Sequence, residues 1–354
     1  MSRRAFLLFC FALACAPLVG AAPAPVKEPR SGTVHYSPAG DETGVPDQFK
    51  LAVHDFTFKQ EFQPASSKKV ELSLVTFPSP VKTPHENNNT VHCEYFKPTS
   101  AGRHPGVIVL HILGGDFELS RLCCKQFAMN GIASLFLKLP YYGPRAQPGV
   151  EREMISPKPR ETVEGFNQAV VDIRRGAAWL AAQEEVDPND VGIMGISLGG
   201  FTGSLALTAE PRFQKAFIML AGGDVAQIGL NSPEAAALLG NWRAEGGSDE
   251  SLIALLKPVD PCVYGKNVHG RKIIMYNATK DEIIPRACTD SLWKAFGEPE
   301  IHWVEAGHYS VARFMFDALG RATRLFQGLP SEPAKALPSP KPKNEAKLEA
   351  AAAS

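Results

Sequence analysis

The sequence is short of several things, and each shortage removes a class of function. Neither sign of charge is in excess, since 37 Lys and Arg stand against 37 Asp and Glu. A phosphate backbone is tracked by a basic surface, so no nucleic-acid partner is expected. Charged residues make up only 21% of the chain, too few for a disordered polyelectrolyte. No apolar run reaches the ~20 residues that a membrane-spanning helix needs. No repeat with a period of about 20–50 residues is visible, which argues against solenoids and propellers. Cysteine is scarce, and Cys10 and Cys15 of the seven fall in an N-terminal leader. The other five, Cys93, Cys123, Cys124, Cys262 and Cys288, are odd in number and match no metal spacing. No metal and no cofactor is therefore assigned, and at most one disulfide is expected. Adjacent Cys123 and Cys124 are expected to pack on a buried helix face.

What is present begins with a leader. Met1-Ser2-Arg3-Arg4 precedes the apolar run Ala5 to Val19 and the small residues Gly20, Ala21 and Ala22. This reads as a signal peptide over 1–22, giving an exported protein, periplasmic or extracellular. The paired arginines fit twin-arginine export, an ordinary Sec signal stays open, and Ala12-Leu13-Ala14-Cys15 leaves lipid anchoring at Cys15 open. Residues 23–68 read as a partly irregular leader. Residues 329–354, mostly Pro, Ala, Lys and Ser, read as a disordered tail. Between them, residues 69–328 suit one large domain.

The pattern of that domain alternates. Lys69 to Val75 and Thr90 to Phe96 have near period-2 patterning across a turn-rich stretch and predict an antiparallel opening pair. Continuous apolar runs follow at Gly106 to Leu110, Ala133 to Leu137, Val191 to Met194, Ala216 to Leu220 and Lys272 to Tyr276, as a sheet buried on both faces requires. Helical spacing fills the gaps at Phe117 to Met129, Phe166 to Leu180, Leu198 to Thr208, Ala287 to Phe296 and Val311 to Phe326. Strand and helix in alternation predict an α/β fold with a doubly wound, mainly parallel sheet. Such sheets bind ligands beyond the carboxyl ends of their strands.

Gly195-Ile196-Ser197-Leu198-Gly199-Gly200 stands at one such end. The pattern G-x-S-x-G alone is weak, but here a strand precedes it and a helix follows. A strained strand-to-helix turn that exposes a nucleophilic serine needs glycine two places on either side. The competing reading makes Ser197 an ordinary helix cap. A serine nucleophile requires a base, and the base an orienting acid. After the Lys272 strand comes Asp281-Glu282-Ile283-Ile284-Pro285, and after the next strand, Glu300 to Val304, comes Gly307-His308-Tyr309. Of nine histidines, only His308 follows a late strand, His302 lying inside it. Asp281 is preferred as the acid because it comes first after its strand, and Glu282 stays open. The oxyanion donors are expected to be the backbone N–H groups of Leu198 and of Leu113, in the loop His111-Ile112-Leu113-Gly114-Gly115. Tyr141, Tyr142 and Arg145 follow the Ala133 strand, where they would either bind a sugar or carboxylate or brace the loop. Asn88 and Asn277 begin glycosylation sequons, read as unmodified.

On the elbow, its approach Val186 to Met194 and the loop Asp281 to Pro285, the chain resembles the α/β-hydrolase superfamily, most closely its dienelactone-hydrolase and acetyl-xylan-esterase-like branch, over roughly Lys69 to Leu329. The resemblance implies the α/β-hydrolase fold, with Ser197, Asp281 and His308 as nucleophile, acid and base. It also implies a helical cap insertion at about 224–270, with Trp242 as an apolar wall. Dienelactone hydrolases proper carry Cys at the nucleophile, so Ser197 points to an ordinary small-molecule or carbohydrate ester. The alternatives are a prolyl-oligopeptidase-like peptidase, for which the ~45 residues between signal and domain are too few to build the usual propeller, and a non-catalytic binding protein on the same scaffold.

Overall fold

The computed structural model describes residues 27–64, 67–115, 117–231 and 236–331. The expected signal peptide over 1–22, with Cys10 and Cys15, and the expected tail beyond residue 331 lie outside them. The strands are β1 (Arg30–Tyr36), β2 (His54–Phe62), β3 (Val70–Pro78), β4 (Thr90–Pro98), β5 (His104–Leu110), β6 (Ala133–Leu137), β7 (Val186–Ile196), β8 (Phe213–Met219), β9 (Lys272–Ala278) and β10 (Glu300–Val304). They form one sheet in the order β1-β2-β3-β4-β6-β5-β7-β8-β9-β10. From β6 to β10 every neighbour is parallel; β1 to β4 and the β4–β6 pair are antiparallel. The helices are α1 (Glu118–Met129), α2 (Pro159–Ala181), α3 (Leu198–Ala209), α4 (Val225–Asn231), α5 (Ala236–Ala244), α6 (Asp249–Leu256), α7 (Arg286–Ala295) and α8 (Met315–Phe326).

Two cores, one on each face of the sheet, explain the unbroken apolar runs. Val107 and Val109 of β5, Phe217 and Met219 of β8, and Ile274 and Tyr276 of β9 pack with Phe127 of α1 and Leu319 and Phe326 of α8. Their strand neighbours Ile108, Leu110, Ala216, Ile218, Ile273 and Met275 pack with Ile173 and Trp179 of α2, Leu205 of α3 and Leu292 of α7. Successive strand residues point to opposite faces, so a strand covered on both sides carries no polar alternation.

The leader requires correction. Residues 30–36 and 54–62 are β1 and β2, so the antiparallel part has four strands and not two. In β2, Phe56, Phe58 and Gln60 are buried while the residues between them are exposed, the period of a half-buried strand. Phe58 meets Trp179 edge-on at 5.7 Å between ring centroids. The turn-forming residues around these strands masked an alternation that was present. The fully buried guanidinium of Arg174 also anchors this segment, bonding Glu42, the Phe49 carbonyl and Glu210.

The insertion after β8 holds α4, α5, α6 and the 3-10 stretches Lys257–Val259 and Pro261–Val268. Leu239, Leu252 and Leu256 join it to the core on the α2 and α3 face. The five described cysteines are free, and Cys123 and Cys124 are buried on α1. Asn88 and Asn277 are almost wholly buried, which closes both sequons to a glycan in the folded chain. No helix among the described residues is long and apolar enough to cross a membrane.

Candidate active site

Strand β7 ends at Ile196 and α3 begins at Leu198, leaving one residue for the reversal. Ser197 makes it with φ 52° and ψ −116°, backbone that costs a non-glycine residue energy. Its side chain makes no capping bond, which removes the helix-cap reading. The glycines earn their places by contact. A Cβ on Gly195 would lie 2.0 Å from the Gly199 carbonyl oxygen, and one on Gly199 would lie 2.6 Å from that of Leu110. Strand, helix and the end of β5 therefore meet backbone to backbone.

The serine is not alone. Its Oγ lies 3.0 Å from His308 Nε2, and His308 Nδ1 lies 2.9 Å from one Asp281 oxygen and 3.0 Å from the other. His308 and Asp281 side chains are each 8% exposed. Asp281 is itself fixed, because its Oδ1 accepts the backbone N–H groups of Ile283 and Ile284 at 2.9 and 2.8 Å. The acid and base loops are laced together by Thr279 N–H to Val304 O and Lys280 N–H to Ala306 O, both 2.9 Å. Glu282, the other acid left open by the sequence, takes a different partner: its Oε2 accepts the backbone N–H of His308 at 2.8 Å.

Leu198 opens α3, where a backbone N–H has no partner within the helix. Leu113 lies in the loop after β5, before Gly114 and Gly115 with φ of 84° and 71°. One side chain sets that loop. His111 is completely buried; its Nε2 accepts the Leu139 N–H at 3.0 Å, so its Nδ1 carries the proton donated to the Ile112 carbonyl at 2.7 Å. A trans peptide directs N–H opposite to C=O, so His111 fixes the direction of the Leu113 N–H. Burial drives the His111 imidazole down to about 4, which keeps it neutral. Sequence reasoning treated this histidine as part of a loop pattern and missed its role.

The structure places the candidate substrate contacts Tyr141, Tyr142, Arg145 and Trp242 as follows. Arg145 is fully buried and bonds Asp172, the Lys138 carbonyl and the Asn88 carbonyl; it is a structural cation, because its partner carboxylate lies inside the fold on α2. Tyr141 and Tyr142 are each 5% exposed. Tyr141 packs beneath the Arg152 guanidinium and against His85, and Tyr142 packs edge-on to His111, contacts that suit the loop-bracing alternative. Trp242 donates its indole N–H to the Ser248 carbonyl and lies against Gly247, closing the turn between α5 and α6. A cleft of about 470 Å³ lined by Arg30, Gln60, Glu71, Lys97 and Glu185 shares no residue with the serine site. Its lining comes mainly from the antiparallel strands β1 to β4 and from residues 182–185 before β7.

Comparisons with known proteins agree with this architecture. An acetyl xylan esterase from Paenibacillus sp. R4 superposes with a TM-score of 0.61 at 18% identity, over 75% of this chain and 88% of that one. Acetyl xylan esterase 1 from Thermoanaerobacterium sp. JW/SL YS485 gives 0.57 at 16% identity, over 74% and 86%. The chain has the α/β-hydrolase fold. Residues 65–224 match a family described as alpha/beta hydrolase domain containing 18, and residues 167–287 match the prolyl oligopeptidase family. Both α/β-hydrolase matches include Ser197, and the second reaches Asp281. A Mycobacterium tuberculosis protein of strain H37Rv, described as uncharacterized, is 31% identical over 178 residues, 48% of this chain and 40% of that protein. The match thus spans less than half the length of this curated relative.

Proposed function

We propose that the chain is a serine hydrolase that cleaves carboxylic esters through an acyl-enzyme. The observation that carries this reading is the unbroken line from Ser197 Oγ through the His308 ring to the Asp281 carboxylate. His308 Nε2 takes the Ser197 proton as Oγ bonds to the ester carbonyl carbon. The oxyanion is held by the N–H groups of Leu198 and Leu113. The carbon–oxygen bond to the alcohol then breaks, and the imidazolium returns the proton to the departing oxygen. Water repeats the sequence on the acyl-serine, releasing the acid and Ser197. Asp281 stabilises the imidazolium throughout. The helices at 224–270 act as the cap over the acyl and alcohol groups, and the leader carries the protein out of the cytoplasm.

A peptidase is the second reading, favoured by the prolyl oligopeptidase match. Turnover of a p-nitrophenyl acyl ester and of an aminoacyl amide by the same preparation separates the two. Faster ester hydrolysis supports the proposal, and amide hydrolysis alone overturns it. Inertness toward both, with no covalent labelling of Ser197, leaves a binding protein on the scaffold.

A further inference from the structure

Asp281 and Glu282 are adjacent carboxylates that grip one residue by two different handles. Asp281 holds the ring of His308, and Glu282 Oε2 holds its backbone N–H at 2.8 Å. The neighbouring glycine records the closeness of that grip, because a Cβ on Gly307 would lie 2.4 Å from the same Glu282 oxygen. Gly307 thus leaves room for the Glu282 carboxylate where a side chain would push it aside, and its φ lies outside the left-handed region. On its other side the Gly307 N–H donates to Ser310 Oγ at 2.8 Å. An imidazole orientated only through its ring would still shift whenever its Cα shifted.

Resting on the proposed function, we propose that Glu282 is a positioning residue: it anchors the main chain of the base so that His308 Nε2 stays within reach of Ser197 Oγ. The bond is a charge-assisted one to a backbone donor, the stronger class of hydrogen bond. A misplacement near 1 Å in a reacting group costs on the order of 10²-fold in rate.

The test is the rate at which a fluorophosphonate labels Ser197, measured against probe concentration, so that the limiting rate is separated from half-saturation. Glu282→Ala is expected to lower the limiting rate on the order of 10- to 100-fold with half-saturation unchanged. Glu282→Gln, whose amide oxygen still accepts the N–H, is expected to restore most of it. Gly307→Ala displaces the carboxylate and should cost as much as Glu282→Ala, while the double variant should cost no more than Glu282→Ala alone. Wild-type labelling of Glu282→Ala, or Glu282→Gln as slow as Glu282→Ala, overturns the inference, and these two variants decide it even if Gly307→Ala does not fold. Ser197→Ala is run beside them. If it is labelled as fast as the parent, the hydrolase reading itself fails, which is a different outcome from a failure at Glu282.

Discussion

His308 Nε2 sits 3.0 Å from Ser197 Oγ although 111 positions separate them in the chain. The sheet brings them together: β7 delivers the serine and β10 the histidine to the same edge, with β8 and β9 between. Because both strands run parallel, their carboxyl ends lie on one side, and each loop begins where the other's chemistry is.

The Asp281 carboxylate faces the Nδ1 side of that ring with both oxygens. Asp281→Asn is expected to keep the fold and lower kcat on the order of 10⁴-fold by stabilising the wrong tautomer. Steady-state kinetics on a chromogenic ester checks this. A variant within a small factor of the parent would show that the acid is elsewhere.

Gly195 is expected to be irreplaceable. A methyl group there would collide with the Gly199 carbonyl, which neither backbone can vacate without opening the turn. Gly195→Ala should cost more than about 4 kcal/mol of stability, read as loss of cooperative unfolding in urea. Parent-like unfolding would contradict the close approach.

His111 gives the fold an acid-sensitive joint. Its pKa of about 4 in the folded chain lies below the ordinary 6.5 because of burial. Protonation therefore favours the unfolded chain, and the stability is complete above about pH 6.5 and lost as the pH falls toward 4. Each unit of depression corresponds to roughly 1.4 kcal/mol. Charging Nε2 would also turn an N–H against the Leu139 N–H. Unfolding free energy measured across this range should fall steeply, and His111→Asn should flatten the fall and lower kcat through the Leu113 peptide. A variant curve parallel to the parent's would contradict both.

Arg145 separates structure from recognition. With its Asp172 partner, it has no exposed side-chain surface, so Arg145→Met should destabilise by about 3–5 kcal/mol while KM of the folded fraction stays unchanged. Urea unfolding alongside steady-state kinetics reads both. A rise in KM at unchanged stability would return Arg145 to the substrate.

How much of this was legible in the sequence depended on whether the deciding physics was local. Runs such as Gly106 to Leu110 and Ala216 to Leu220 announce strands covered on both faces, and the strand–glycine–serine–glycine turn announces itself by steric need. The phenylalanines of β2 alternate just as plainly, yet their setting among turn formers suggested irregular chain. Position after the strand favours Asp281 over Glu282 but does not separate their roles. What separates them is the turn in which Ile283 and Ile284 give their N–H groups to Asp281 and leave Glu282 facing the main chain of His308. The sequence leaves Arg145 open between binding and bracing, because the carboxylate that pairs with it inside the fold lies 27 positions away.

The measurement closest to the centre is the mass of the protein after exposure to a fluorophosphonate, with the adduct located by peptide mapping. A single adduct on Ser197, formed far more slowly in His308→Ala, is the predicted result. An unmodified Ser197, or an adduct confined to another serine, would contradict the claim that these side chains make an alcohol nucleophilic.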